Sequence, residues 1–474
     1  MGDPEDFYRK EDDWIEPRDA TDMKYVEAVN MLAAEVMQQY RPVRWKGEVY
    51  VYREGRWTGG DDAEAMMDQH IRERYYALGL NGKFVMPVLG GSVKAQVRME
   101  APPVEPVDGI LFRNGLFRWA RNDDGRHVPE FTPAVEGEVP FARYTLPYDF
   151  PAELLAEARE KGWHPFRLMP PAAMRAFAQW NARAALLLLE LIGYATFTSS
   201  YIWHRAVMLV GEGSNGKSTY LQLVRDLFAP HMVGLSLQTI SGPEGRFQLA
   251  KLRSALVNVF ADLPREPIKY TGWFKVLTGE DVITADRKNR EPVEFVNTAK
   301  MFFAANELPM VHDTSDAFFR RWIVIEFPHQ FEPDPNFYGR TFPPEDRPRI
   351  LAAGILAFEH ALRRGGFSEG GKGSSAAEYR EYWMRETNSV YAWLQERIEE
   401  GRLVRDPMGS ITVKEVYEDY VDWCGESEEE PVSKKAFSGR LEQLGFKRGR
   451  TVKERLVLGL RRAGGAGAST SKLY

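Results

Sequence analysis

Apolar and polar positions form blocks along this chain, and the blocks predict units of different type. Residues 1 to about 170 mix strand and helix patterns, with alternation around two glycine turns in 43–57 and a helical period over 62–78. From 171 to about 328, short apolar strands alternate with helical or polar segments, which is typical of an α/β fold with a largely parallel sheet. The elements predicted for this second unit are a helix over 173–197 and strands over 206–210, 231–237, 256–260, 301–305 and 322–327.

The rest of the chain divides at a stretch rich in Gly and Ser. A loop rich in Pro and acidic residues over 331–348 and a helix over 350–364 precede this stretch. A helix over 376–402 is predicted after it. Two further helical patterns and then alternating residues around a basic turn predict a winged helix-turn-helix. The predicted domains are therefore 1–170, 171–365, a linker over 366–375, a winged helix over 376–462 and a disordered tail over 463–474.

The apolar strand 206–210 leads directly into a complete GxxxxGK[ST] phosphate loop, and a helical pattern follows over about 219–228. Glycines let successive backbone N–H groups surround phosphates, Lys217 places a cation on the outer phosphates, and the Ser218 hydroxyl ligates magnesium. A glycine-rich turn that matches by accident is the alternative, but it does not account for the flanking strand and helix. The predicted ligands are ATP and Mg²⁺, with nucleotide contacts from Gly211, Gly213, Asn215, Gly216, Lys217, Ser218 and Thr219.

Three downstream motifs narrow the choice among the many proteins that carry a phosphate loop. Asp262 ends an apolar strand, as a Walker B carboxylate does when it holds Mg²⁺ together with Ser218. Asn306 follows the strand 301–305, where its amide is placed to orient an attacking water, although a strand-ending turn is the simpler alternative. Arg320 and Arg321 precede the last strand, and a surface pair at a strand start is the simple interpretation.

Composition limits the class of protein. The chain has 474 residues, of which 44% are hydrophobic and 27% charged, the balance of a globular protein with room for about three domains. The single cysteine, Cys424, excludes an internal disulfide framework and a CxxC zinc site. The start of the chain does not read as a secretion signal, and the longest apolar run, 184–192, is too short to span a bilayer. We therefore expect a cytoplasmic protein, in a bacterial or archaeal host cell or at a viral replication site, with no membrane partner.

Basic residues are clustered near the C-terminus although the chain is acidic overall. The formal net charge is −6, which excludes a protein coated in basic surface. Between Lys434 and Arg462 there are ten basic and two acidic residues, an imbalance that indicates phosphate contacts, with a solvated charged face as the alternative. The DNA contacts predicted in this region are Lys434, Lys435, Lys447, Arg448 and Arg450.

The order of these motifs resembles the superfamily 3 helicases, and more closely the helicase part of the phage and plasmid primase-helicase family that includes the poxvirus type. The resemblance spans about residues 40–460, because Asn114-Gly115 with the segments 145–149 and 191–194 is similar to the region that precedes the family's ATPase. The helix that carries Tyr417, Tyr420 and Trp423 is similar to its C-terminal winged helix. The fold class this implies is α/β, an AAA+-like P-loop NTPase core with an α+β N-terminal domain and a C-terminal winged-helix domain.

The resemblance also implies an assembly and roles for residues. Such ATPases form rings, usually hexamers, that hold nucleotide between subunits. Lys217, Ser218 and Thr219 would hold the phosphates and magnesium, Asp262 would be the Walker B acid and Asn306 the sensor. Arg321, or else Arg320, would reach a neighbour's γ-phosphate. Segment 286–291 falls where the superfamily carries a hairpin in the pore, so Arg287, Lys288 and Arg290 would grip single-stranded DNA, with a solvated hairpin tip as the alternative.

Two features depart from the family pattern. Many members carry two acids at the Walker B end, whereas Asp262 is flanked by Ala261 and Leu263, and Glu266 is the nearest carboxylate. Residues 1–170 show no polymerising domain with an acid cluster and a histidine, so a primase would be a separate chain. The pair Asp123-Asp124 beside Gly125 reads as a solvated turn rather than as metal ligands.

The sequence thus predicts an ATP-driven replicative DNA helicase of a phage, plasmid or integrated element that translocates on single-stranded or forked DNA as a homo-hexameric ring. One rival is a replication initiator or DNA-binding scaffold that uses ATP to assemble without sustained unwinding. Another is a small-molecule kinase with a phosphate loop, which leaves Asn306, Arg321 and the basic C-terminus unexplained.

Overall fold

The computed structural model describes residues 23–463 except 137, 243–244, 265–266, 269, 288–289, 312, 314, 370–374 and 453. The chain divides into two compact units between Ala152 and Glu153. Among the described residues, none of the helices combines the length and the hydropathy needed to cross a bilayer, and no group of three or more His, Cys, Asp or Glu side chains is placed to bind a metal ion.

The first unit contains three helices and two small sheets. The antiparallel sheet β1-β2-β3 confirms the predicted meander, and in the second sheet, of order β6-β5-β4-β7, only β4 and β7 run parallel. The predicted turn at Asn114-Gly115 joins β4 to β5, and the Asn114 side chain donates to and accepts from the backbone of Phe150 at 2.8 Å. The elements are α1 (Tyr25–Tyr40), β1 (Val43–Trp45), β2 (Glu48–Arg53), β3 (Arg56–Gly59), α2 (Gly60–Ala77), α3 (Met86–Glu100), β4 (Val107–Phe112), β5 (Gly115–Arg121), β6 (His127–Pro133) and β7 (Ala142–Leu146).

The second unit is built around a five-stranded parallel sheet. Its elements up to residue 364 are α4 (Ala152–Glu160), α5 (Pro171–Asn181), α6 (Ala185–Tyr194), β8 (Ala206–Val210), α7 (Lys217–Phe228), β9 (Met232–Val233), α8 (Leu237–Ser241), α9 (Gly245–Leu249), β10 (Val257–Phe260), α10 (Gly272–Leu277), β11 (Val282–Arg287), β12 (Arg290–Val296), β13 (Lys300–Ala305), α11 (Asp316–Phe319), β14 (Trp322–Glu326), α12 (Phe337–Thr341) and α13 (Arg347–Arg364). The strand order is β14-β8-β13-β10-β9, and every adjacent pair is parallel. All residues of β8 and β13 are buried, because a parallel sheet is covered on both faces. The predicted α/β class with a parallel sheet is confirmed.

The C-terminal part of this unit combines four helices with a three-stranded antiparallel sheet of order β15-β17-β16. Its core contains Trp393, Tyr420 and Phe437, whose ring centroids lie 4.9–6.0 Å apart. The elements are α14 (Ser375–Thr387), α15 (Ser389–Glu399), β15 (Leu403–Thr412), α16 (Val413–Glu426), α17 (Lys434–Gln443), β16 (Lys447–Arg450) and β17 (Arg455–Arg462).

Two predicted helices are each two helices in the structure, and an asparagine marks both breaks. Asn181 ends α5 because its side-chain oxygen accepts from the N–H groups of Arg183 and Ala184 at 3.0 and 3.1 Å, which competes with helical hydrogen bonding. Asn388 separates α14 from α15 as an N-cap that accepts from the N–H of Tyr391. The single helices predicted over 173–197 and from 376 to 402 were therefore wrong.

The strand predicted over 231–237 is also shorter than expected. Only Met232 and Val233 pair with β10. Leu235 then exchanges hydrogen bonds with the Asn258 side chain at 2.7 and 3.0 Å instead of a neighbouring strand. Ser236 caps α8 by accepting from the N–H of Thr239, so the chain turns into a helix where the apolar pattern indicated a strand.

Two buried carboxylates join α6 and α4 to α13. Glu190 is fully buried and accepts from Arg364 and from the N–H of Ser368, both at 2.7 Å. Glu359, also fully buried, accepts two hydrogen bonds from Arg159 at 2.9 and 3.0 Å and one from Arg363 at 2.6 Å. Burial raises the pKa of Glu190, and the hydrogen bonds from Ser368 and Arg364 oppose that shift.

We expect Arg364→Ala to lower the free energy of unfolding by about 3 kcal/mol, because it leaves the buried Glu190 carboxylate without its cation. Arg363→Ala is the matched control on the same helix, since Glu359 keeps Arg159, and it should cost about 1 kcal/mol or less. Urea denaturation of the full chain, followed by tryptophan fluorescence, measures both. Burial raises the pKa of Glu190 in the folded state, so the folded protein protonates this carboxyl more readily than the unfolded chain does. A protonated Glu190 no longer needs the cation, so the loss of unfolding free energy caused by Arg364→Ala should shrink as the pH falls toward that pKa. Equal losses for the two variants would contradict this account of the pair.

Candidate functional site

The loop 211–216 joins the end of β8 to the start of α7, and its backbone requires glycine at Gly216. Gly216 has φ +94°, and a Cβ built there would lie 2.3 Å from the indole nitrogen of Trp180. Trp180 is buried on α5. The packing of α5 beneath the loop therefore explains the second glycine of the motif, in addition to its conformation.

Lys217 is held inside the loop. Its ammonium donates to the carbonyls of Gly211 and Glu212 at 2.5 and 3.0 Å and to the side-chain oxygen of Asn215 at 3.0 Å. Burial lowers the pKa of Lys217, while the charge of Asp262 acts in the opposite direction. The loop therefore places a desolvated cation beside the N-terminus of α7, the arrangement that suits phosphate oxygens.

The carboxyl ends of three parallel strands meet at this loop. Asp262 follows β10, Asn306 follows β13, and both side chains are exposed. They line one cavity of about 660 Å³ together with Lys217, Ser218 and Thr219. The structure thus brings together the residues predicted for phosphate, magnesium and water, and it pairs a hydroxyl with a carboxylate, the oxygen ligands that Mg²⁺ prefers.

A second, larger cavity of about 1220 Å³ borders the same loop. The loop residues Gly211, Gly213 and Asn215 line it, as does Asn306. Its remaining charged lining is acidic, from Glu212, Glu307, Glu326 and Glu378. The smaller cavity is lined by three carboxylates, Asp262, Glu332 and Asp334, but also by the Lys217 cation, so it is the better anion site of the two.

One wall of the smaller cavity was missed in the sequence. Segment 331–338 lies along α7: the N–H of Phe331 donates to the carbonyl of Ser214 at 2.8 Å, and the Tyr338 hydroxyl donates to Asp226 at 2.6 Å. The sequence predicted only a loop rich in Pro and acidic residues here. The aromatic residues among its prolines were the signal that could have indicated a binding wall.

Arg320 and Arg321 lie where the parallel strands begin, at the end of the sheet opposite the carboxyl ends that carry the loop. Trp322 is paired with Ala206 and Glu326 with Val210, so the arginines precede the strands whose far ends carry the loop. Five residues of strand, about 15 Å, separate Arg321 from that end. Neither arginine can reach the phosphate loop of its own chain.

The two arginines differ in their surroundings. The side chain of Arg320 is 64% exposed and forms a 3.9 Å ion pair with Asp316. Arg321 is half-buried, donates to the carbonyl of Ala317, and its pKa is lowered by burial and by Arg320, while Asp281 and Asp313 act in the opposite direction. The charge of Asp281 therefore helps to keep the half-buried Arg321 protonated.

Strands β11 and β12 form an antiparallel hairpin at the predicted basic turn. Arg287 ends β11, and its Nε donates to the carbonyl of Glu291 at 3.0 Å. Arg290 begins β12, whereas Lys288 lies outside the described residues, as does Glu266. Lys275 of α10 forms a 2.9 Å ion pair with Asp313.

The basic residues of the C-terminal region lie on two neighbouring elements. Lys434 and Lys435 are exposed in the first turn of α17, and Lys447, Arg448 and Arg450 are exposed on β16. Arg448 forms an ion pair with Glu442 of α17, so one of the five predicted contacts is partly neutralised. The structure brings these residues together on one helix and the adjacent hairpin.

Two comparisons with known proteins match only a part of this chain. A family of unknown function, DUF5906, matches residues 209–321, which include the loop, Asp262, Asn306 and both arginines. The chain is 32% identical over 129 residues to "Putative helicase L207/L206" of Acanthamoeba polyphaga mimivirus, an alignment that covers 26% of this chain and 13% of that relative. The chain thus spans a small part of the relative's length, and it has a helicase-related relative in that part.

Two solved structures are similar at a coarser level. The apo structure of the NrS-1 C-terminal region covers 93% of this chain and is itself covered completely, at 12% identity and a TM-score of 0.48. An inhibitor-bound JCV helicase covers 52% of this chain, with 72% of that helicase matched, at 14% identity and a TM-score of 0.25. At these TM-scores neither likeness defines the fold.

Proposed function

We propose that this protein is an ATP-dependent DNA helicase whose AAA+-like P-loop core hydrolyses ATP between the subunits of a ring. The observation that carries the proposal is the single cavity in which Lys217, Ser218, Asp262 and Asn306 meet. The helicase name of the mimivirus relative supports the choice of a DNA motor over other phosphate-loop enzymes.

The chemistry follows from the placement of these groups. Backbone N–H groups of the loop and the Lys217 ammonium would hold the β- and γ-phosphates. Ser218 and Asp262 would hold Mg²⁺, which neutralises charge on the phosphates when bound. The Asn306 amide, at the end of the neighbouring strand, would orient the attacking water. Positioning and charge neutralisation are the main contributions to such a reaction, so no covalent intermediate is needed.

The position of the two arginines supports hydrolysis at a site shared between subunits. An arginine that precedes β14 would reach a neighbour's γ-phosphate if the amino ends of the strands in one subunit pack against the carboxyl ends of the strands in the next. Asp281, which immediately precedes β11, lies beside Arg321, so a movement of the arginine on hydrolysis would be transmitted to the base of the β11–β12 hairpin. The helix α17 and the hairpin β16–β17 would add a winged-helix contact to DNA.

The proposal is tested by ATP turnover with and without single-stranded DNA, together with strand displacement on a forked duplex. We expect turnover to rise with DNA, and we expect the Lys288→Ala/Arg290→Ala variant to lose both stimulation and displacement while its basal turnover stays within about twofold. Lys161→Ala, which removes an exposed lysine paired with Glu157 far from the hairpin in sequence, is the control and should behave as wild type.

Turnover that ignores DNA, with no displacement even at low salt, would favour an initiator or scaffold instead. Low salt matters here because contacts between basic side chains and the phosphate backbone of DNA weaken steeply as the ionic strength rises. If the hairpin variant kept full stimulation, the hairpin would be a solvated tip and its assignment to DNA would be overturned.

A further inference from the structure

The smaller cavity has two chemically different ends. Lys217, Ser218 and Asp262 occupy one end, where the triphosphate and magnesium are proposed to bind. The other wall is segment 331–338, which supplies Phe331, Pro333 and Phe337. A volume of about 660 Å³ lies within the range of small-molecule pockets and leaves room for more than phosphates.

Segment 331–338 is fixed in place at both ends. The N–H of Phe331 is bonded to the carbonyl of Ser214, so its first residue is attached to the phosphate loop itself. At the other end, Asp226 of α7 accepts from Tyr338 at 2.6 Å and pairs with Arg347 at 3.1 Å. The Phe331 ring is nonetheless 37% exposed, although an apolar ring of this size is ordinarily buried.

We infer that segment 331–338 is the base-binding wall of the nucleotide site, with the rings of Phe331 and Phe337 stacking on the base. The inference rests on the proposed function, because it takes the triphosphate to lie at the Lys217 end. Every nucleobase has a π-face, and stacking on aromatic side chains is a strong and sequence-tolerant contact. The second cavity offers Tyr379 and Tyr382, but it is lined by four carboxylates. The smaller cavity is lined by three, Asp262, Glu332 and Asp334, together with the Lys217 cation, which makes it the better site for an anionic nucleotide.

The inference is tested by comparing a ligand that has a base with one that lacks it. Isothermal titration calorimetry of the full chain with Mg²⁺ gives Kd for ATP and for inorganic tripolyphosphate. The Phe331→Ala/Phe337→Ala variant should bind ATP about tenfold more weakly, the size expected of a lost stack, and tripolyphosphate as tightly as wild type. Phe247→Ala is the matched control, since Phe247 is 53% exposed in the same unit but does not line the cavity, and it should change neither Kd.

Each outcome has a distinct meaning. If the variant binds ATP as tightly as wild type, segment 331–338 does not contact the base and the inference fails while the proposed function stands. If both ligands weaken equally, the segment acts through Ser214 on the loop, and the base assignment is again overturned. If wild-type protein binds neither ligand, the proposed function itself fails. A thermal melt of each variant, and the single substitutions Phe331→Ala and Phe337→Ala, distinguish a lost contact from a lost fold.

Discussion

Replacing Arg321 by alanine is expected to leave ATP bound and to reduce its hydrolysis by about 10³-fold or more, the range found when an arginine finger is removed. The reason is geometric: Arg321 precedes β14, about 15 Å of strand away from the loop of its own chain, so in the proposed ring it would act on a neighbour's nucleotide. Binding is measured by calorimetry with ATP and turnover by phosphate release, and only the second should change.

A mixing experiment makes the test specific to a shared site. Lys217→Ala protomers keep the arginine but lack the loop cation, and Arg321→Ala protomers have the reverse defect. In rings formed from an equal mixture, about a quarter of the interfaces join an intact loop to an intact arginine, so turnover should recover to about a quarter of wild type. No recovery from two inactive variants that form mixed rings would exclude action between subunits.

The neighbouring arginine gives the alternative assignment. Arg320 is the more exposed of the two, and its ion pair with Asp316 is 3.9 Å long. Arg321 is half-buried and donates to the carbonyl of Ala317 in α11. Arg320→Ala should therefore reduce turnover by less than about tenfold if Arg321 is the finger. A 10³-fold loss for Arg320→Ala, with near-normal turnover for Arg321→Ala, would exchange the two roles.

The sequence was sufficient for features that depend on local chemistry. The phosphate loop lies between β8 and α7 as predicted, because its glycines and apolar strand act within one stretch of chain. Four of the five predicted strands of the parallel sheet are present within one residue of their expected ends, since buried strands are continuous apolar runs. The hairpin at 286–291 was expected from the resemblance to the superfamily 3 helicases, since the residues by themselves indicated only a basic turn.

Features that depend on distant packing were not predictable. The breaks at Asn181 and Asn388 look like helix interior in a periodic pattern, and only the side-chain hydrogen bonds to the following backbone show the caps. The role of Trp180 beneath Gly216 requires α5 to lie under the loop. Segment 331–338 carries no motif, and its place beside the loop 211–216 depends on contacts with Ser214 and Asp226, more than a hundred residues earlier in the chain.

The largest chemical effect at the loop is expected from Asp262→Asn. The substitution keeps the shape of the side chain and removes the carboxylate that follows β10 and lines the same cavity as Ser218. Metal stabilisation of phosphoryl transfer is worth several kcal/mol, so turnover should fall about 10³-fold at a fixed Mg²⁺ concentration. Phosphate release measured over a Mg²⁺ titration should show that the remaining activity needs a higher concentration of the metal.

Glu157→Gln is the control for Asp262→Asn, because Glu157 is a carboxylate of the same unit that pairs with Lys161 and does not line the cavity. It should alter neither turnover nor the Mg²⁺ requirement. An Asp262→Asn variant that kept wild-type turnover and the wild-type Mg²⁺ requirement would overturn the assignment of Asp262 to magnesium. Glu266→Gln then addresses the missing second acid: a loss of turnover with an unchanged Mg²⁺ requirement would identify a carboxylate that polarises water, because a metal ligand changes both quantities.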